Sequence, residues 1–215
     1  MKQTILSILS VYIFFPVLGQ YESSRREVLH YIFPEFILGS VLKKSTEMVN
    51  TWLNYNTLTE EMIFYHTGKY LALDELETID TVFIKQKRFI PVGKVFYEVA
   101  TNTPISLFIQ HKSKLVPPGK NTGFGTSQTS SITNITSVLG PGGAYQLSLP
   151  EDYKALPVNT YWVRKRRVYT RIDNLKDIQA MFPEKASLIR EFVKENKLRF
   201  DKPEDVMRVV SFCNL

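Results

Sequence analysis

From Glu35 to Lys114 the chain is cut by turn residues into short apolar-alternating runs, spaced about ten residues apart, and this restricts the fold more than any other feature. Runs at Ile37 to Leu42, Met48 to Tyr55, Glu61 to His66 and Tyr70 to Asp74 are followed by Asp80 to Ile84, Arg88 to Val92, Val95 to Val99 and Ile105 to His111. Gly68 and Gly93 stand where tight hairpins demand a positive φ. A parallel doubly wound sheet needs crossover helices between strands, and no room exists for them here. The pattern predicts an antiparallel meander closed as a small barrel or packed as a sandwich.

The composition then changes. Between Val116 and Gly143 it becomes rich in Pro, Gly, Ser, Thr and Asn, which predicts a long loop; within it, Ser130 to Leu139 reads equally as a short strand or a helical turn. Tyr145 to Leu149 reads as a strand and Tyr161 to Arg171 as a hairpin. After Ile172 the apolar period lengthens to that of helices. Asn174 is placed to cap one helix through Met181, and a second is expected over Glu184 to Asn196. A third should be capped by Asp201, with Pro203 in its first turn and Val206, Val209, Val210 and Cys213 inward. The expected fold class is α+β, mainly β: residues 20–172 form the antiparallel β domain with its loop at 116–143, and residues 173–215 form about three helices packed on it.

The first nineteen residues have a different character. Lys2 precedes a run from Ile5 to Leu18 that is apolar apart from Ser7, Ser10 and Tyr12, and Gly19 places a small residue before Gln20. That is the layout of a cleavable secretory signal over 1–19. The run is too short for a transmembrane anchor, and Glu22, Arg25 and Arg26 close it. No cysteine follows it to carry a lipid, since the single cysteine is Cys213, which also excludes an internal disulfide. The expected location is therefore periplasmic or extracellular, soluble after cleavage near Gly19 and Gln20, with no transmembrane anchor in the mature form. At 44% hydrophobic and 13% aromatic residues, the chain has enough apolar material for an ordinary core rather than disorder.

Once Lys2 is removed with the leader, 26 basic side chains face 21 acidic ones, a net charge of +5. The excess peaks at Arg164-Lys165-Arg166-Arg167, flanked by Tyr161-Trp162-Val163 and Val168-Tyr169. Read as the turn of a hairpin, the cluster is a solvated feature, and export argues against nucleic acid. Acidic glycan or lipid headgroups are the remaining partners for such a cluster.

Candidate chemistry is sparse. His30, His66 and His111 show no close-spaced metal-ligand pair, so no metal site is expected. Gly123-Phe124-Gly125-Thr126-Ser127 is not a nucleophile elbow; a triad of Ser127 with His111 would need a third group from elsewhere. Cys213 on a face of valines reads as a buried hydrophobe, not a nucleophile. Asp74, Glu75, Glu77 and Asp80 could supply paired carboxylates for glycoside hydrolysis, but their spacing reads as an acidic turn. No glycine arrangement cradles phosphate. The sequence thus assigns no catalytic, cofactor-binding or metal residues and implies no cofactor.

A likeness rests on particular blocks: Leu53-Asn54-Tyr55-Asn56-Thr57-Leu58-Thr59-Glu60-Glu61-Met62, the turn at Pro91 to Val99, Gln110-His111-Lys112 with Pro117-Pro118-Gly119-Lys120, and Phe182-Pro183-Glu184-Lys185. With these the chain resembles a set of uncharacterised exported proteins of the Bacteroidota that have no established activity. The resemblance implies compartment and domain extent, not chemistry. It also implies a possible O-glycan acceptor, because that phylum modifies Asp-Ser/Thr-apolar triplets and Asp80-Thr81-Val82 fits; the other reading is that Asp80 and Thr81 open a strand. The functional expectation is a non-enzymatic envelope or periplasmic binding or assembly module, with an envelope protein or glycan as partner. A small envelope hydrolase acting on glycan or peptide is the alternative.

Overall fold

The computed structural model describes residues 30–117, 120–122, 125–127, 149, 153–166 and 168–215. The expected leader at 1–19, the segment Ser130 to Leu139 and most of the expected strand at Tyr145 to Leu149 lie outside them.

The described residues form fourteen strands: β1 (Ile37–Lys43), β2 (Met48–Asn56), β3 (Glu61–His66), β4 (Lys69–Ala72), β5 (Ile79–Ile84), β6 (Lys87–Val92), β7 (Val95–Val99), β8 (Ser106–Gln110), β9 (Ser113–Val116), β10 (Lys120–Thr122), β11 (Gly125–Ser127), β12 (Lys154–Pro157), β13 (Thr160–Lys165) and β14 (Val168–Ile172). Three helices follow: α1 (Leu175–Met181), α2 (Ala186–Glu195) and α3 (Pro203–Cys213). Ten strands make one antiparallel sheet in the order β14-β13-β8-β7-β6-β5-β1-β2-β3-β4. Its ends, β14 and β4, do not pair with each other, so it is not a closed barrel. β9 pairs with β12, and β10 with β11, the latter a hairpin inside the segment read as loop.

Hairpins account for most of the order. Thr67 (φ 46) and Gly68 (φ 82) both take the left-handed region and join β3 to β4 through two residues, the geometry that matches the twist of paired strands. In the β5–β6 and β6–β7 turns only the first of the two linking residues takes a positive φ, Lys85 (φ 53) and Gly93 (φ 63). Two neighbouring pairs in the sheet are not hairpin partners: β1 lies mid-sheet with β2 on one side and β5 on the other, and β8 pairs with β13 although β9 to β12 intervene in sequence. The chain therefore runs outward from β1 to β4, crosses back through a short 3-10 turn at Leu76–Thr78, and runs outward again from β5.

Alternation of side chains assigns each face. Val41, Leu53, Tyr55, Met62, Val82, Ile84, Phe89 and Phe96 form one buried cluster with Phe33. Leu107, Ile109, Tyr161, Val163 and Ile172 form a second on the same side of the sheet, covered by Ile178, Ile189, Val206, Val209, Val210 and Cys213 of the three helices. Burial holds the Cys213 thiol well above its usual range, at about 11, and it is 2% exposed, so it behaves as the small hydrophobe its position on a valine face implies.

The sheet also curls. The Tyr55 hydroxyl on β2 donates to the carbonyl oxygens of Phe96 on β7 (3.3 Å) and of His111 (3.1 Å). β2 and β7 are four strand spacings apart, about 19 Å in a flat sheet and beyond the reach of one tyrosine side chain. Only a curled sheet, its apolar face inside, brings them together.

Asn174 caps α1 with a reciprocal capping box to Asp177, as expected. The cap of α3 is different: Lys202, not Asp201, takes that position, with an extended backbone (φ −110, ψ 115). Pro203 disfavours helical geometry in the residue before it, so the helix cannot begin earlier. Asp201 instead pairs with Arg199. Among the described residues no helix is long and apolar enough to cross a membrane.

Candidate functional site

Two polar regions emerge once the register is known. The first is a seam along which the curled sheet meets itself. Phe89, Glu98 and Ile109 are aligned on β6, β7 and β8, so Glu98 points to the apolar side with its neighbours. Lys87 and His111, two residues from Phe89 and Ile109 on that same side, flank it from opposite ends. The Glu98 carboxylate accepts from Lys87 Nζ through Oε1 (2.6 Å) and lies 2.6 Å from His111 Nε2 through Oε2. In the β2–β3 connection, Glu60 accepts from Lys112 Nζ through Oε1 (2.7 Å) and from Gln110 Nε2 through Oε2. Thr57 Oγ1 and Ser113 Oγ are 2.9 Å apart.

Burial is the largest influence on Glu98 and would raise its pKa. The hydrogen bond and charge of His111, with those of Lys87, outweigh it, and the net direction is downward. Burial, then the charge of Glu60, pushes the Tyr97 phenol up. Every oxygen of both carboxylates is engaged within the protein. A general acid needs a raised pKa and an open approach for substrate. Glu98 has the opposite properties, a lowered pKa and both oxygens held by the protein, which are those of a structural clasp.

The second region is the outer face of the sheet, which the helices leave open. Leu38, Trp52, Tyr65 and Tyr70 stand directly opposite one another across β1, β2, β3 and β4. Leu38, Met48 and Trp52 are each more than half exposed, at 60%, 56% and 52%. Farther along the same face, Thr81, Phe83, Arg88, Ile90, Val99, Asn102, Phe108 and Arg164 line a recess of about 200 Å³. Arg164 lies over the Phe108 ring (5.0 Å) and the Tyr169 ring (5.9 Å). Beside them Tyr97 and Trp162 stack at 6.0 Å.

No family model, curated protein or solved structure matches this chain. The geometry must therefore speak alone.

The residues singled out from sequence disperse. His30 is buried and packs on the Tyr31 ring at 4.6 Å. His66 ends β3, exposed at its rim, and with Asp74 and Glu75 lines a larger cavity of about 490 Å³ whose walls include Val41, Val49 and Phe64. Glu77 and Asp80 are not part of that lining, so the four acidic residues do not converge on one cavity. Among the described residues no group of three or more His, Cys, Asp or Glu is placed to hold a metal ion. Ser127 sits on the β10–β11 hairpin, paired in register with Lys120. Asp80 and Thr81 stand at the start of β5, where the Thr81 hydroxyl donates to Asp80 Oδ2 (2.8 Å).

The basic cluster is divided rather than solvated as a turn. Arg164 and Lys165 belong to β13, and strand alternation sends them to opposite faces. Arg164 goes to the outer recess. Lys165 donates to the Met181 carbonyl oxygen (2.9 Å) and sits 4.2 Å from the Phe182 ring centroid, on the helix side. Arg166 is in the turn, with φ 51, and Arg167 lies outside the described residues.

Proposed function

We propose that this chain is an exported, non-enzymatic binding module of a bacterial envelope, cut near Gly19 and Gln20 and then soluble in the periplasm or outside the cell. One observation carries the binding reading: the row of Leu38, Trp52, Tyr65 and Tyr70 across four strands, the first three exposed and Tyr70 half-buried, on a face that none of the three described helices covers. Large apolar side chains scattered singly need no explanation, whereas a contiguous row of them marks a recognition surface. The saturated state of Glu60 and Glu98 supports a scaffold role for the buried charges rather than catalysis.

The hydrolase alternative draws on one contact, the 2.6 Å approach of His111 to Glu98. Such a pair orients a histidine base in nucleophilic hydrolases. Here Glu98 is shared with Lys87, and neither His111 nor Glu98 lines either cavity described above.

Two experiments test these statements. N-terminal sequencing of the exported protein is expected to begin at Gln20, and an intact Met1 in that fraction would overturn the export reading. Co-sedimentation with insoluble envelope fractions is expected to retain the protein and leave the fraction chemically unchanged. Trp52→Ser should abolish retention with a stability change within about 0.5 kcal/mol, as for other exposed positions. Release of soluble fragments from the envelope would establish the hydrolase instead, and full retention by Trp52→Ser would remove the outer row from the account.

A further inference from the structure

The recess on the outer face has a chemistry of its own. Arg88 and Arg164 both line it, three strand spacings apart on β6 and β13, and both are half-buried. Among the described residues no carboxylate forms an ion pair with either guanidinium. The other described arginines without an ion pair, Arg166 and Arg190, are exposed to solvent, whereas these two are half-buried. The buried carboxylates Glu60 and Glu98 each have a cation, and Arg171, Arg199 and Arg208 each pair with an aspartate. Two guanidinium groups left over in one concave, part-desolvated place make a strong local field for an anion.

Arg164 is also held in position. Its guanidinium lies over Phe108 and reaches Tyr169, so its rotamer is restrained before anything binds. The remaining lining is of two kinds: apolar walls from Phe83, Ile90, Val99 and Phe108, and polar groups from Thr81 and Asn102. The Thr81 hydroxyl proton goes to Asp80, which leaves its oxygen as an acceptor. The volume of about 200 Å³ is below that of sites enclosing drug-sized ligands, about 300–1,000 Å³, and suits a single small unit of a longer molecule.

We propose that this recess binds one carboxylate-bearing sugar unit of an acidic polysaccharide that runs across the outer face. The carboxylate would lie between Arg88 and Arg164, where guanidinium forks accept it in bidentate geometry. The apolar C–H face of the sugar ring would rest on the half-buried Phe83 and Ile90 walls, and its hydroxyls would meet Thr81 and Asn102. An acidic side chain of a protein partner satisfies the two arginines but leaves the ring walls and Asn102 without contact. An isolated phosphate fills too little of the space. The proposal rests on the binding-module reading and specifies the ligand that its outer face takes.

The test is titration calorimetry of the exported protein with oligogalacturonate and oligoglucuronate. The controls are the same oligomers with carboxyl groups reduced to alcohols, an oligoglutamate peptide, and inorganic phosphate. Binding of at least one uronate oligomer is expected, falling as salt rises, with no binding of its reduced counterpart. Arg88→Gln and Arg164→Gln should each weaken it about tenfold or more, the scale of one lost charged hydrogen-bonding partner. Arg88→Gln serves as the reference should Arg164→Gln disturb the Phe108 and Tyr169 packing, and unchanged thermal unfolding qualifies each variant. Equal affinity for the reduced oligomer, tighter binding of oligoglutamate or phosphate, unaltered affinity in both variants, or no uronate binding would each overturn the proposal. Should it fail while Trp52 remains necessary for envelope retention, the binding-module reading stands; if both fail together, the outer face is not a recognition surface.

Discussion

Replacing Gly39 by alanine is expected to lower unfolding stability by about 2–3 kcal/mol, and by valine more. β1 is the strand from which both arms of the sheet grow, and Gly39 lies within its pairing with β2, one residue from the Ser40 and Phe83 register with β5. A Cβ at Gly39 would meet the Phe83 carbonyl oxygen at 2.5 Å, Leu53 Cδ1 at 3.0 Å and Ile84 Cγ1 at 3.4 Å. The two side-chain atoms can shift by a few tenths of an ångström. The carbonyl is backbone and cannot turn away without moving β5 from β1. Glycine in a strand marks such a close approach, and here it falls at the middle of a sheet that must curl for Tyr55 to reach β7. The loss corresponds to a fall in midpoint of about 5–10 °C. Gly68→Ala is the useful comparison: nothing lies within 4 Å of its Cβ position, so only the positive φ is penalised, at about 1 kcal/mol. Urea unfolding of the two variants separates the effects, and a Gly39→Ala protein no less stable than Gly68→Ala would show that β1 and β5 have slack.

The strands around Gly39 were readable because each is a local pattern. Glu61–His66 and Val95–Val99 occur where alternation places them, and the helical tail follows its lengthened apolar period. What local pattern does not carry is partnership. Nothing in Ile37 to Leu42 states that it will accept β5 on its second edge, because that choice is decided by burial across the whole apolar face. The seam was hidden for the same reason. Two segments far apart in sequence, 53–62 and 110–112, hold Tyr55, Thr57, Glu60, Gln110, His111 and Lys112, and they meet only after the sheet has curled. A signal for Glu98 was nevertheless present: in Val95-Phe96-Tyr97-Glu98-Val99 it is in phase with Phe96, so strand alternation puts the charge on the apolar side. The same rule, applied to Tyr161-Trp162-Val163-Arg164-Lys165, separates Arg164 from Lys165. The four basic residues share a composition but not a strand phase, so composition alone does not show the division.

Glu98→Gln is expected to cost about 2–3 kcal/mol at neutral pH, because it leaves Lys87 and His111 facing a neutral group in a place with little water. Glu98 is 7% exposed by its side chain and His111 13%, whereas Lys87 is 39% exposed and keeps solvent if it loses its partner. Lys87→Met should accordingly cost less than about 1 kcal/mol, the range of solvent-screened pairs. The pH dependence has a definite sign. The folded carboxylate titrates below its unfolded value of about 4.3, so its contribution is complete above that value and disappears as pH falls through the lower, folded one. The carboxylate's part of the stability gap between the native protein and Glu98→Gln should then close as pH falls below about 4. Chemical denaturation at a series of pH values measures both curves. A gap that persists undiminished into strong acid would mean that the loss in Glu98→Gln comes from packing and not from charge, and the clasp would then be a matter of shape alone.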